Sequence, residues 1–137
     1  MRKVVLISCA SKKRPLKCKA RELYVSALFK KNLQYALNLA PDRIFILSAK
    51  YGLVELDDEV EPYDLTLNEM STLEIRRWAN AVLHQLAAKA DLQNDQFVFL
   101  AGTKYRKDLL PHLAHVEVPM EGLRIGEQLQ RLSRSSP

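Results

Sequence analysis

Short apolar runs alternate along this chain with segments of helical spacing. Lys3-Val4-Val5-Leu6-Ile7-Ser8, Arg43-Ile44-Phe45-Ile46-Leu47-Ser48 and Gln96-Phe97-Val98-Phe99-Leu100-Ala101-Gly102 are continuous apolar stretches of strand length. Such runs are expected of strands covered on both faces. His115-Val116-Glu117-Val118 predicts a weaker fourth strand. Ser26 is placed to cap a helix whose apolar face is Phe29, Leu33, Ala36, Leu37 and Ala40, and Pro41-Asp42 stops it. Ser71-Thr72-Leu73-Glu74 has the form of a capping box and opens a helix with Ile75, Trp78, Ala79, Val82, Leu86 and Ala90 on one side. Thr103 predicts the cap of a further helix carrying Leu109, Leu110 and Leu113, which Pro111 distorts. Gly122 to Leu132 predicts a last helix, and residues 131–137 a frayed tail.

This order, β-α-β-α-β-α-β-α, predicts the α/β class: one three-layer domain over residues 1–137 with a mainly parallel sheet of about four strands, Rossmann-like or flavodoxin-like. Residues 10–20 read as a basic loop and residues 50–70 as a long connection, where Gly52 suits a positive φ and Pro62 limits regular structure.

A chain of 137 residues is long enough for an independent core. Its hydrophobic share of 47% and charged share of 27% are ordinary globular values, and an aromatic share of 7% argues against a broad base-stacking platform. No stretch approaches the roughly 20 apolar residues of a membrane span. Met1-Arg2-Lys3 runs straight into strand-like sequence with no cleavage region, so a cytoplasmic protein without a signal peptide is expected. Cys9 and Cys18 make no disulfide framework, zinc-ligand spacing is lacking, and His84, His112 and His115 are scattered. Neither a metal site nor a cofactor is expected.

The net charge of +5 conceals a division along the chain. Residues 1–31 hold ten Lys and Arg against Glu22 alone, whereas residues 55–69 hold seven Asp and Glu and no base. A basic footprint of this kind attracts phosphate-bearing partners, a small molecule or a nucleic acid, although a solvated lysine-rich loop is the plainer and more frequent explanation.

In a parallel α/β sheet, ligands bind at the carboxyl edge of the strands. Three predicted strand ends carry polar or small residues there: Ser8 and Cys9, Ser48 and Lys50, Gly102 and Thr103. Ser11, Lys12 and Lys13 follow the first end, and Lys104, Arg106 and Lys107 follow the third. Cations in the first turn of a helix oppose its dipole unless an anion sits among them. Lys13 is a candidate nucleophile, base or anion contact, and Cys9 a candidate nucleophile; a packed strand-end cysteine is the plainer alternative. Lys50-Tyr51-Gly52 and Pro62-Tyr63-Asp64 place two phenols that can flank a planar ligand and a carboxylate that can accept from a base or sugar, or pair with Lys50. An ordered loop plugged by its tyrosines is the alternative.

Ser8-Cys9-x-x-x-Lys13, Ala20-Arg21-Glu22-Leu23-Tyr24, Leu28-Phe29-Lys30, Ile46-Leu47-Ser48-Ala49-Lys50-Tyr51-Gly52-Leu53 and Pro62-Tyr63-Asp64-Leu65-Thr66-Leu67 together resemble a family of small bacterial and phage proteins with no assigned activity. The Ser48 to Tyr63 segment is similar to a motif of the YaaA peroxide-stress proteins, which bind DNA. Cys9-x-x-x-Lys13 is similar to part of the archaeosine synthase core, which modifies a deazaguanine base in tRNA; that resemblance implies Lys13 as the attacking residue. The expected function is an enzyme acting on a nucleobase, nucleotide or nucleic acid, by N-glycosidic or base-modifying chemistry. A non-catalytic nucleic-acid-binding module and a protein whose acidic segment meets the basic region of a second copy are the alternatives.

Overall fold

The computed structural model describes residues 1–135. Its class is α/β, with a five-stranded, mostly parallel sheet. Strand β1 (Lys3–Ser8) lies at the centre, with β3 (Arg43–Ser48) on one side and β6 (Gln96–Leu100) on the other, both parallel to it. Strand β7 (His115–Glu117) continues the parallel set beyond β6. At the opposite edge β4 (Gly52–Glu55) returns antiparallel on β3, with Ser48 opposite Gly52. A separate ribbon pairs β2 (Cys18–Lys19) with β5 (Glu59–Val60).

The unbroken apolar runs have a direct structural cause. Successive strand side chains point to opposite faces, and both faces are covered. Val4, Leu6, Phe45, Leu47, Phe97 and Phe99 meet helix α3 (Thr72–Ala87) through Ile75, Trp78, Ala79, Val82 and Leu86. Val5, Ile7, Ile46, Val98 and Leu100 meet the other face, covered by α1 (Ala20–Leu23), α2 (Ala27–Asn38) and α5 (Ile125–Ser135). Capping residues act where the sequence puts them. Ser26 accepts the Phe29 N–H at 3.1 Å, and Ser71 and Glu74 form both halves of the capping box.

Several expectations are corrected. The 50–70 connection contains two strands, because Gly52 (φ 76°) turns the chain back tightly enough for β4 to pair with β3. Part of the 10–20 loop is regular: Lys13 forms a bridge with Tyr24, and β2 pairs with the acidic segment. On α2, Asn32 rather than Leu37 is buried, Leu37 is 45% exposed, and Ala40 falls beyond the helix end. The helix expected after Thr103 stops early: α4 spans Thr103–Arg106 with Gly102 at its cap, and Leu110–His112 is a separate 3-10 turn. Pro111 has no N–H for an α-helical bond, so the helix cannot run through it. Arg131 to Ser135 belong to α5 instead of a frayed tail; Ser136 and Pro137 lie outside the described residues.

Charge on the two oppositely charged segments is partly matched within the chain. Arg21 pairs with Asp57 at 2.9 Å, and Lys19 stands opposite Glu59. Glu55 joins Arg43 (2.7 Å) and Lys89 (2.8 Å). These two bases hold its carboxyl below the usual carboxylate range. Among the described residues, no helix is long and apolar enough to cross a membrane.

Gln85 on α3 closes the outer edge of β4. Its amide accepts the Leu53 N–H at 2.9 Å and donates to the Tyr51 carbonyl at 3.3 Å, taking the place of a neighbouring strand. A side chain at residue 52 would run into that amide oxygen. Gly52→Ala is therefore expected to cost about 2 kcal/mol, from the left-handed backbone and from loosened Gln85 hydrogen bonds. In urea unfolding, the Gly52→Ala/Gln85→Ala double variant should lose less than the sum of the single losses; strict additivity would remove Gln85 from the explanation.

Candidate functional site

The loops after β1 and β6 meet at the carboxyl edge of the sheet, and a cleft of about 690 Å³ opens between them and the elements on either side. One wall is the β1 exit: Cys9, Ala10, Ser11, Lys12 and Lys13. A second is the first turn of α2, where Ser26, Ala27 and Leu28 line the opening. Ser26 takes up the Phe29 N–H, so the earlier N–H groups of that turn have no partner within the helix. Asp64, Leu65, Thr66, Asn68 and Glu69 form the third wall, with Tyr105 from α4 and Ile125 and Leu129 from α5 completing the lining. The hydrogen bond between Cys9 Sγ and Tyr105 Oη, 3.4 Å, links the ends of adjacent parallel strands.

Beneath the cleft lies a chain of hydroxyls. Ser48 is fully buried, and its Oγ accepts the Tyr51 N–H (3.0 Å) and the Lys50 N–H (3.3 Å). With its lone pairs so engaged, Ser48 donates to Tyr63 Oη at 2.8 Å. Tyr63 in turn lies 2.7 Å from Tyr24 Oη. The Ser48 carbonyl accepts the Trp78 indole N–H at 2.8 Å. Burial pushes the Tyr24 phenol up to about 12, against the opposing effect of its bond with Tyr63. Burial, aided by nearby Cys9, likewise raises Tyr63 and Tyr105 above the ordinary phenol value. All three therefore stay protonated through the physiological range as neutral hydrogen-bonding groups.

Lys13 is held between these layers. Its backbone bridges Tyr24, and the flanking bonds Arg14 N–H to Leu23 O (2.9 Å) and Val25 N–H to Lys12 O (3.0 Å) tie the β1 exit to the approach of α2. Its ammonium lies 4.4 Å from the Tyr63 ring centroid and donates to the Ser11 carbonyl at 3.4 Å.

The expected site residues thus fall into groups. Cys9, Ser11, Lys12, Lys13 and Asp64 share the cleft. Ser8 ends β1 half-buried and is not part of the cleft lining, while Ser48 and Tyr63 form the support below. Tyr63 is packed against its own chain: Lys13 lies over its ring, Tyr51 meets it edge-on at 5.5 Å, and its hydroxyl is bonded internally. Lys50 stands away from the cleft with its ammonium 5.3 Å from the Tyr51 ring, and Tyr51 lines a different hollow with Lys17 and Glu59. Asp64 lines the cleft apart from Lys50. Gly52 serves the β3–β4 turn. Gly102 and Thr103 border a smaller hollow of about 290 Å³ beside Arg106, and Lys104 lies exposed outside the cleft. The helix-dipole argument for an anion at α4 fails, because four residues sum to little dipole and Arg106 donates to the Ala101 carbonyl at 2.7 Å. Among the described residues no group of His, Cys, Asp and Glu could hold a metal ion.

Sequence reading missed Tyr24, Tyr105, the first turn of α2 and the α5 residues. Tyr105 stands just past the third apolar run, at a strand end already expected to carry ligands, and Tyr24 lies inside a segment that carried the family resemblance. Those signals were available. Nothing in the chain marked Ile125 or Leu129.

The spread of these residues, from the β1 exit to α5, covers almost the whole chain, and the same span is matched at family level. The chain belongs to DUF6884, a family of unknown function. The match runs over residues 4–134. No curated protein and no solved structure matches it. What the DUF6884 chain offers chemically is a cationic wall, a polar wall bearing carboxylates, and one thiol beside a protonated phenol.

The buried phenols predict an alkaline limit. A raised folded-state value means that their stabilisation is complete below about pH 10, the ordinary phenol value, and declines as pH rises past it toward 12, since only the unfolded chain then releases those protons. The urea midpoint should fall over pH 10–12. Tyr24→Phe should remove about one proton from that slope, roughly 1.4 kcal/mol per pH unit. An unchanged slope in Tyr24→Phe would place its phenol in water.

Proposed function

We propose that this protein binds a phosphate-bearing ligand of the nucleotide class in the 690 Å³ cleft and acts on its base end. The observation that carries this reading is the meeting of Lys12 and Lys13 with the first turn of α2 on one cleft. Free helix N–H groups and ammonium groups are complementary to the same anion. The volume lies within the roughly 300–1,000 Å³ of small-molecule sites. Leu65, Ile125 and Leu129 supply apolar surface for a base, and Asp64 a hydrogen-bond acceptor for base or sugar.

The strand arrangement supports it. We read the protein as one three-layer domain of flavodoxin-like order, in which the first parallel strand lies between the second and third. In such sheets the ligand crevice opens where connections leave adjacent strands in opposite directions, here between β1 and β6, which the Cys9–Tyr105 contact spans. Lys13, with its ammonium over the Tyr63 ring, suits an anion contact better than a neutral nucleophile. Cys9 is then the nucleophile candidate, and N-glycosidic or base-modifying chemistry the reaction class. The resemblance of the Cys9–Lys13 and Ser48–Tyr63 segments to the archaeosine synthase core, which modifies a base in tRNA, and to the YaaA proteins, which bind DNA, implies only a ligand that carries bases and phosphates.

An extended nucleic-acid track is less well supported. Arg21, Arg43 and Lys89 are engaged with acids, and Asp64 and Glu69 stand within the cleft itself. Calorimetric titration with nucleoside 5′-monophosphates and pyrophosphate tests the proposal. Lys12→Ala/Lys13→Ala should weaken binding about 10–100-fold, while Lys50→Ala, outside the cleft, should change it by no more than roughly twofold. Equal effects of the two changes would sink the assignment. Binding confined to long oligonucleotides, with a steep salt slope, would favour the nucleic-acid module instead.

A further inference from the structure

Tyr63 is not among the residues lining the cleft, yet it touches the parts that build it. Its ring receives the Lys13 ammonium at 4.4 Å on the face and Tyr51 at 5.5 Å edge-on. The neighbouring Tyr24 ring is 5.9 Å from the same ammonium, farther out. The Tyr63 hydroxyl is fixed at both ends, by Ser48 at 2.8 Å and Tyr24 at 2.7 Å. Tyr24 is itself bridged to the Lys13 backbone. One ring thus holds the head of Lys13 while its hydroxyl partner, Tyr24, holds the Lys13 backbone.

A free lysine side chain has many rotamers and loses that freedom when it meets an anion. A lysine already lodged over an aromatic face has given up much of it beforehand. The Tyr63 ring is kept still by two hydroxyl bonds, so it offers the ammonium one place to sit. Resting on the negative face of the ring, the ammonium is stabilised on one side, one donor reaches the Ser11 carbonyl at 3.4 Å, and the remaining donor capacity is open to a ligand.

We propose that Tyr63 is a positioning residue for the cleft: through its ring face it fixes the Lys13 ammonium toward the bound anion, and through Ser48 and Tyr24 it is fixed itself. This rests on the reading of the cleft as a phosphate site. The contact is electrostatic, so its strength follows the electron density of the ring rather than its size. Replacing Tyr63 by phenylalanine, by 3,5-difluorophenylalanine and by pentafluorophenylalanine keeps a ring of nearly constant shape and drains its face in steps.

With pyrophosphate as the probe, Tyr63→Phe should lose only about twofold to threefold, from the missing hydroxyl bonds. Affinity should then fall stepwise with fluorination to about tenfold below Tyr63→Phe. In the background Lys13→Ala, fluorination should have no effect. Equal affinities across the series, alongside a clear loss in Lys13→Ala, overturn the positioning role and leave the phosphate site standing. If pyrophosphate does not bind at all, the cleft reading fails, and proton NMR of the ligand-free protein still decides the contact. The Lys13 ε-methylene protons should show an upfield ring-current shift that persists in Tyr63→Phe and disappears in Tyr63→Leu. Absence of that shift in the unaltered protein overturns the proposal.

Discussion

Ser48 ends the second parallel strand with every polar atom of its side chain and its carbonyl engaged. Its hydroxyl takes two backbone N–H groups from the turn that follows and gives its proton to Tyr63, and its carbonyl receives the Trp78 indole. A fully buried hydroxyl without such partners costs roughly 1–3 kcal/mol, and here the direct partners of the residue come from three different parts of the chain. The turn into β4, the helix on one face, the returning 60s segment and, through Tyr63, the approach to α2 are all referred to one oxygen pair. The cleft inherits its shape from that arrangement.

Polar order at this edge is layered. Lowest is the neutral hydroxyl chain of Ser48, Tyr63 and Tyr24, kept protonated by burial. Above it lies the Lys13 ammonium, resting on a ring instead of an acid. Cations elsewhere in the basic N-terminal region, such as Arg21, are balanced by the acidic segment that folds back on them. The consequence is a division of labour within one charge class. Arg21, Arg43 and Lys89 hold the fold together, while Lys12 and Lys13 face the cleft. Surface ion pairs of the first kind contribute little individually, whereas the Lys12 and Lys13 ammonium groups share the cleft with the Asp64 and Glu69 carboxylates.

Much of the architecture is legible in the sequence because a strand covered on both faces must be apolar through its interior, and β1, β3 and β6 are apolar apart from their polar end residues. Helix starts are legible for a similar reason: Ser26 and the Ser71–Glu74 box satisfy orphan N–H groups by local geometry. The short elements were not. β2 and β5 have two residues each and exist through a partner distant in sequence, and β4, four residues folded back on β3, has its outer edge closed by distant Gln85. Local propensity carries no trace of such pairing.

The same boundary runs through the candidate site. Sequence alone determined which strands end in polar or small residues, and that Cys9, Lys12 and Lys13 follow the first of them, because position relative to an apolar run is a one-dimensional property. Only tertiary structure decided which of those groups share a cavity. Lys13 and Asp64 fell on the cleft, Lys50 and Lys104 fell outside it, and the Tyr63 ring fell beneath the Lys13 ammonium. Packing in three dimensions assigns each polar side chain either to a buried partner or to open space, and that choice depends on neighbours that no local pattern encodes.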